Sequence, residues 1–168
     1  EEQRLEKREE RRERRVRAGE AKTSEVSALV TKNLSEKWEV ALAHGFLSYP
    51  ALGISAPIGK PSLVHWNRRN WYALEEQMQF TLLHGVVAYP HSPELGDQGT
   101  LVIAGHSSPP TATVRGTPYE DVFAKLPDAA IGDRIEIRGS DNQTYIYEVY
   151  DTEVVPPTKT SILLQDKT

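Results

Sequence analysis

An uncharged run of apolar and β-branched residues spans positions 100–104, past the middle of the chain. A continuous run of this kind predicts a strand buried on both faces of a sheet. Gly105 ends the run, and His106 follows directly before the loop signal Ser107-Ser108-Pro109-Pro110. An imidazole where a rigid strand meets an exposed loop is a candidate for acid, base or ligand chemistry. The alternative is a histidine that only packs and hydrogen-bonds at a strand end.

A helical pattern precedes this region. Between Thr23 and His44 the apolar residues recur at spacings of three and four, which predicts an amphipathic helix that ends at Gly45. After Gly45 the pattern predicts mostly short elements. An edge strand is predicted at residues 51–58, one or two helical turns within residues 66–80, and a strand at residues 82–89. A short helix at residues 119–126 and the two strands of a hairpin at residues 134–138 and 144–150 follow. Many short strands with little helix favour a β-barrel or sandwich.

Charge divides the chain into three parts. Residues 1–22 begin with a nearly uninterrupted run of Glu, Arg and Lys, with too few apolar side chains to bury a face. We expect a charged helical tail or linker there, with a lipid-associated stalk as the alternative reading. Residues 23–45 form the predicted amphipathic helix, and residues 46–168 form a β domain.

Composition excludes several classes of function. The net charge is −4, which argues against a nucleic-acid partner. The sequence contains no cysteine, which excludes a disulfide framework, a thiolate metal site and a cysteine nucleophile within these residues. No apolar run approaches the ~18–20 residues that span a bilayer.

Three further groupings of side chains are weaker candidates for binding sites. They are a zinc site of His84, His91 and His106, a calcium site of Glu94, Asp97 and Asp133, and a stacking surface of Trp66, Trp71 and Tyr72 beside Arg68 and Arg69. None has the spacing of a dedicated site, so turn residues and a local hydrophobic cluster are the preferred interpretations. We therefore predict no metal and no cofactor.

The order of motifs resembles the sortase family. The matching segments are residues 51–58, 84–90 and 99–108, then 123–126 with 132–137, then 145–150 with 154–157. The stretch Ala104-Gly105-His106-Ser107 carries most of the resemblance, which covers roughly residues 50–164. The resemblance implies a sortase-like β-barrel with short helices, preceded here by the charged and amphipathic helix.

The resemblance also implies a function. Sortases are cysteine transpeptidases at the extracytoplasmic face of the bacterial membrane. They cleave a C-terminal sorting signal of the Leu-Pro-any-Thr-Gly type and join it to an amine of the cell wall or a pilin. The family histidine matches His106. The resemblance implies a substrate groove beside it that involves Ala104, Ser107, Val154, Val155 and Leu163.

The family cysteine and arginine are expected after Leu164 and do not occur within the sequence. The 168 residues are therefore predicted to be inactive alone, because a thiolate is the nucleophile in this chemistry. The alternative is a catalytically inactive sortase-like domain for peptide binding or assembly. A domain incomplete at its C-terminal end would expose a strand edge, which predicts self-association.

Overall fold

The computed structural model describes Lys32, residues 40–108 and residues 117–159. The chain divides into two compact units, residues 1–37 and residues 38–168. In the first unit the description covers Lys32 alone, which lies in a helix. The predicted charged tail and most of the predicted amphipathic helix therefore lie outside the described residues.

The second unit is built on one sheet of six strands. The strands are β1 (Val40–Tyr49), β2 (Ile54–Pro61), β3 (Val86–Ala88), β4 (Ile103–Ala104), β5 (Arg134–Gly139) and β6 (Thr144–Glu148). Their spatial order is β4-β3-β2-β1-β5-β6, and only the β2–β3 pair is parallel. The sheet curls into a half-barrel, which confirms the prediction of a mainly β fold with short helices.

The hydrophobic core lies on the concave face of this sheet. In β5, Ile137 is buried and Ile135 is half-buried, whereas the charged residues that alternate with them, Arg134, Glu136 and Arg138, are exposed. This alternation confirms the predicted half-buried strand. Leu47 of β1 pairs with Ile137 and continues the same face. The buried cluster comprises Leu47, Tyr49, Leu52, Ile54, Ala56, Ile58, Val86, Ala88 and Ile137.

Two α-helices connect β2 to β3. They are α1 (Leu63–Asn67) and α2 (Trp71–His84). Asn70 caps α2 by accepting a hydrogen bond from the Ala73 amide at 3.3 Å. Helix α2 packs against β2 and β3, with Leu74, Gln77 and Thr81 buried. None of the helices in the described part of the chain has the length and apolar character to span a bilayer.

Several predicted boundaries were wrong. Helix α2 continues to His84, where the sequence predicted a strand over 82–89, so β3 is only three residues long. Residues 118–125 form turns followed by a 3-10 helix at Leu126–Asp128, where a short α-helix over 119–126 was predicted. The strand at the start of the unit begins at Val40, so the helix predicted to reach Gly45 cannot extend into β1.

Strand β2 was predicted to be an edge strand, but it lies between β3 and β1. The proline argument fails for a local reason. The ladder with β3 begins at Ile58, one residue after Pro57, so the missing N–H of Pro57 does not interrupt it. Along its first half, β2 is paired with β1 alone.

The strand predicted at residues 100–104 is also different. Regular pairing is limited to Ile103 and Ala104, and β4 lies at the edge of the described sheet rather than in its centre. Its residues are half-buried, not buried on both faces. The partner strand β3 limits this pairing, because it is short and leads into Pro90, which has no N–H to donate.

The junction between α2 and β3 generates the first prediction. A Cβ atom at Gly85 would lie 2.2 Å from the carbonyl oxygen of Pro57, a backbone atom that cannot rotate away. Gly85→Ala is therefore expected to lower the free energy of unfolding by about 3 kcal/mol.

Gly53→Ala is the matched control. Gly53 has φ +67 but no atom within 4 Å of an added Cβ, so this change costs only conformational strain, about 1 kcal/mol. Denaturant unfolding of both variants measures the difference. Equal losses for the two variants would show that the contact with Pro57 does not constrain the fold.

Candidate functional site

His106 lies two residues beyond the end of β4. The residue is half-buried, and its Nε2 atom is shielded from solvent without a hydrogen-bond partner among the described residues. A buried imidazole nitrogen without a partner is unfavourable in a purely structural role. Nitrogens of His44 and His91 are also shielded without a hydrogen-bond partner, so the position of His106 just after β4, together with this state, makes it the candidate for exchanging a proton with a group that enters the site.

The backbone at His106 is fixed by the turn region. The Phe123 amide donates a hydrogen bond to the His106 carbonyl oxygen at 2.9 Å. The Phe123 ring covers Gly105, where an added Cβ would lie 2.7 Å from Phe123 Cδ2. Glycine at position 105 therefore permits close packing of the ring, and this packing holds the segment that carries the histidine.

The substrate residues expected from the sequence are not gathered into one described cavity. Ala104 pairs with Val87 in β4 and is half-buried, and Ser107 is exposed in the following bend. Val154 is 94% exposed and Val155 is half-buried. Leu163 lies outside the described residues. The binding role of these five positions stays a prediction.

An apolar groove occupies the concave face of the sheet. It has a volume of about 600 Å³. Its lining is Leu47, Tyr49, Glu94, Asp97, Gly99, Thr100, Leu101, Ile103, Phe123, Leu126, Ile135, Ile137, Tyr147 and Tyr150. Ile103 and Phe123 bring this groove next to the His106 segment, although His106 does not itself line it.

One polar pair anchors a loop to the floor of this groove. The hydroxyl of the buried Tyr49 donates a 2.7 Å hydrogen bond to Asp133 Oδ2. Burial, followed by this hydrogen bond, raises the pKa of Tyr49 to about 12. The Ala130 amide, and then Tyr49, lower the pKa of Asp133. Asp133 is thus a structural acceptor rather than the calcium ligand that the sequence analysis considered.

A second cavity, of about 510 Å³, contains charges that the sequence analysis did not bring together. Lys60 Nζ lies 2.6 Å from Glu94 Oε1, and His44 Nε2 lies 3.4 Å from Glu94 Oε2. Burial lowers the pKa of His44, although Glu94 opposes this effect. The hydrogen bond from Lys60 lowers the pKa of Glu94. A lysine near the end of β2, directly after the buried residues Ile58 and Gly59, was the available signal, because a buried ammonium needs a counterion.

The histidines considered for zinc have separate environments. His84 Nδ1 lies 2.8 Å from the Phe80 carbonyl oxygen at the end of α2. His91 stacks on Trp66, with ring centroids 4.4 Å apart. The part of the chain that the structure describes contains no group of three side chains arranged to hold a metal ion.

The aromatic residues considered for stacking contact each other. The ring of Trp66 packs edge to face against that of Trp71, with the ring centroids 5.6 Å apart, and it also stacks on the His91 ring. Trp71 is 55% exposed. Because the Trp66 ring already has aromatic neighbours, this group is interpreted as a local hydrophobic cluster.

The comparisons with known proteins agree on one family. The family model for the sortase domain matches residues 47–168. Among solved structures, the chain is similar to a Clostridium perfringens sortase D5 transpeptidase, with a TM-score of 0.50, 20% identity, and coverage of 72% of this chain and 61% of that one. It is similar to the T196V mutant of Streptomyces avermitilis sortase E, with a TM-score of 0.51, 21% identity, and coverage of 75% and 68%.

A third similar structure is the lid mutant of Corynebacterium diphtheriae sortase A. Its TM-score is 0.50, its identity is 27%, and the match covers 72% of this chain and 53% of that one. No curated protein matches the sequence. The chain thus spans between about half and two thirds of the sortase structures named here.

The contact between Gly105 and Phe123 generates the second prediction. Gly105→Ala is expected to displace the Phe123 ring and to break the hydrogen bond from its amide to the His106 carbonyl. Amide exchange measured by NMR should then be about fivefold faster at Phe123, since one such bond contributes about 1 kcal/mol. The ring resonances of His106 should shift at the same time.

Gly132→Ala is the control, because Gly132 has a positive φ of +93 but no atom within 4 Å of an added Cβ. It should leave both signals of the His106 segment unchanged. An unperturbed Phe123 amide in Gly105→Ala would mean that this packing does not position His106.

Proposed function

We propose that this chain, which belongs to the sortase family, recognises the C-terminal sorting signal of a surface protein and uses His106 in its transpeptidation. The supporting observation is the shielded Nε2 of His106, which has no partner among the described residues. It lies within the segment that the sortase-domain model matches. A group in this state is available to accept and return a proton during catalysis.

The chemistry assigns His106 two proton transfers. A thiolate adds to the carbonyl carbon of the scissile peptide bond, and His106 protonates the leaving amine as the acyl-thioester forms. An incoming amine then attacks the thioester, loses a proton to His106, and displaces the thiolate. The sequence contains no cysteine, so the thiol in this scheme comes from outside these 168 residues.

The proposed substrate contacts are the five positions expected from the sequence: Ala104, Ser107, Val154, Val155 and Leu163. The proposed substrate carries a signal of the Leu-Pro-any-Thr-Gly type, and the acceptor is an amine of the cell wall or a pilin. The corresponding place of action is the extracytoplasmic face of the membrane.

A second function is supported by a specific observation. The absence of cysteine suits a sortase-like domain that binds peptides or assembles with a partner without cleaving them. Both functions use peptide recognition beside His106, so they differ in turnover and not in binding.

The third prediction separates these two functions. A fluorescent Leu-Pro-Ala-Thr-Gly peptide should bind to the 168-residue chain without being cleaved. In the product of the complete reading frame, His106→Ala should lower cleavage by at least ~100-fold while the circular dichroism spectrum is retained. His84→Gln is the control, and it should retain near-normal turnover, because His84 bonds only within α2 in the described contacts.

The outcomes assign the function. Binding without cleavage by the complete product would favour the binding domain. Near-normal turnover in His106→Ala would end the catalytic assignment, and absence of peptide binding would contradict both functions.

We also propose that the chain associates with itself through an open strand edge. In the described sheet, β4 and β6 each have a strand partner on one side only, and Ile146 in β6 is 55% exposed. Unpaired N–H and C=O groups on such edges pair with other strands.

The fourth prediction concerns this association. Light scattering should give a mass above that of the monomer, increasing with concentration, and Ile146→Lys should lower it toward the monomer because edge lysines oppose strand pairing. Ile131→Lys is the matched control at an exposed turn position, and it should associate like the wild type. A monomer at all concentrations would contradict the proposal.

A further inference from the structure

The segment that connects β3 to β4 forms a strap, defined here as residues 90–99. The strap lies between the two cavities, and its residues Glu94 and Asp97 line both of them. One cavity is the apolar groove of about 600 Å³, and the other is the charged cavity of about 510 Å³. The position of the strap therefore sets how far each cavity extends.

Paired glycines form a notch for the centre of the strap. Gly45 of β1 and Gly139 of β5 are register partners. An added Cβ at these positions would lie 3.6 Å and 3.4 Å, respectively, from Cδ1 of Leu95. Leu95 thus lies over both glycines, within van der Waals distance of where their side chains would begin, and it packs against the hydrophobic core.

The strap extends from this notch to β6. Gly96 has φ +86 and lies against the ring of Tyr145, where an added Cβ would be 2.6 Å from Tyr145 Cε1. Strand β6 is the third strand from β2 in the sheet order, with β1 and β5 between them. The strap therefore crosses a large part of the concave face.

Charge holds the strap beside β2. Lys60 Nζ donates hydrogen bonds to the Ser92 carbonyl at 3.0 Å and to Glu94 at 2.6 Å. The Lys60 and His44 side chains are only 11% and 12% exposed, whereas the Glu94 side chain is 63% exposed. The cation belongs to a strand of the sheet, and the anion belongs to a connection without regular secondary structure.

We propose that the strap is a gate over the apolar groove, latched by the Lys60–Glu94 ion pair and released by acid. Loss of the Glu94 charge leaves the Lys60 ammonium half-buried without its counterion. A proton on His44 places a second positive charge next to Lys60. Each change favours a position of the strap in which these groups regain water. The inference does not depend on the chemistry of His106.

The sign of the pH dependence follows from the charged groups that line the latch. They are His44 on β1, Lys60 on β2, and His91, Glu94 and Asp97 on the strap. In the closed position, burial lowers the pKa of His44 from 6.5, and the hydrogen bond from Lys60 lowers that of Glu94 from 4.5. The open position, in which water reaches both groups, therefore binds more protons. Closure is fully favoured above 6.5 and weakens as the pH falls below 6.5 and then below 4.5.

The fifth prediction compares Glu94→Gln with the wild type, in the whole 168-residue chain. At pH ~7.5 the substitution should speed amide exchange at least tenfold at Asp97 and Val102, a factor equivalent to about 1.4 kcal/mol. These amides report on the strap, because they donate to the Glu94 carbonyl and to Ser92 Oγ, respectively. Binding of the neutral dye Nile red should increase several-fold as the groove opens.

The pH profile and a matched control complete the experiment. Acidification from pH ~7.5 to ~3.5, which extends below the 4.5 at which the Glu94 contribution begins to be lost, should open the strap of the wild type, whereas Glu94→Gln should show a flatter profile. Glu148→Gln removes one carboxylate from the exposed β6 and should behave like the wild type. The central amides of β1 and β5 should stay protected, which separates opening of the strap from unfolding.

The second variant is Lys60→Gln, which removes the other half of the latch and should also open the strap at neutral pH. The proposal would be overturned if the strap amides of Glu94→Gln and Lys60→Gln were as well protected from exchange as those of the wild type. It would also be overturned if acid changed the amide exchange rates of the wild-type strap only as much as it changes the intrinsic chemical rate of exchange. If Glu148→Gln opened the strap as much as Glu94→Gln does, the change would be due to overall charge, and the latch would also be rejected.

Discussion

The concave face of the curled sheet imposes the main constraint on this structure, because an apolar face must be covered. Helix α2 packs against β2 and β3, and it contributes no residue to the hydrophobic cluster of the concave face, which is left to other elements. In the described residues this cover is the strap and the turn region that carries Phe123. Both are connections without regular secondary structure, so their positions depend on individual side chains. We therefore expect single glycines and ion pairs to have large effects on this cover.

The position of His106 follows from the same constraint. Strand β4 has only two paired residues, which is too little to fix a side chain beyond its end. The fixation comes from Phe123, whose ring rests on Gly105 and whose amide binds the His106 carbonyl. The site therefore depends on tertiary packing rather than on an extended strand.

Sequence patterns predicted those parts of the fold in which local chemistry agrees with the tertiary structure. The β5–β6 hairpin is such a case, because its alternation and its turn at residues 140–142 both favour it. The start of β1 was missed because Val40-Ala41-Leu42-Ala43 is apolar throughout, and such a run is compatible with helix or strand. The position of His106 at a strand end was predicted. The Lys60–Glu94 latch was not, because its partners are 34 positions apart and no periodicity connects them.

The latch and His106 are linked through the short strand β4. The strap begins just after β3, and its Ser92 hydroxyl accepts a hydrogen bond from the Val102 amide at 3.1 Å. The Val102 carbonyl in turn accepts from the Tyr89 amide at 3.0 Å. These two bonds hold the residue that enters β4, and His106 follows four positions later. Because β4 contributes only two pairs of its own, the bonds at Val102 form a substantial part of what fixes this edge. Release of the proposed latch would therefore weaken the support of the segment that carries the histidine, through these adjacent hydrogen bonds and without a change in the central strands.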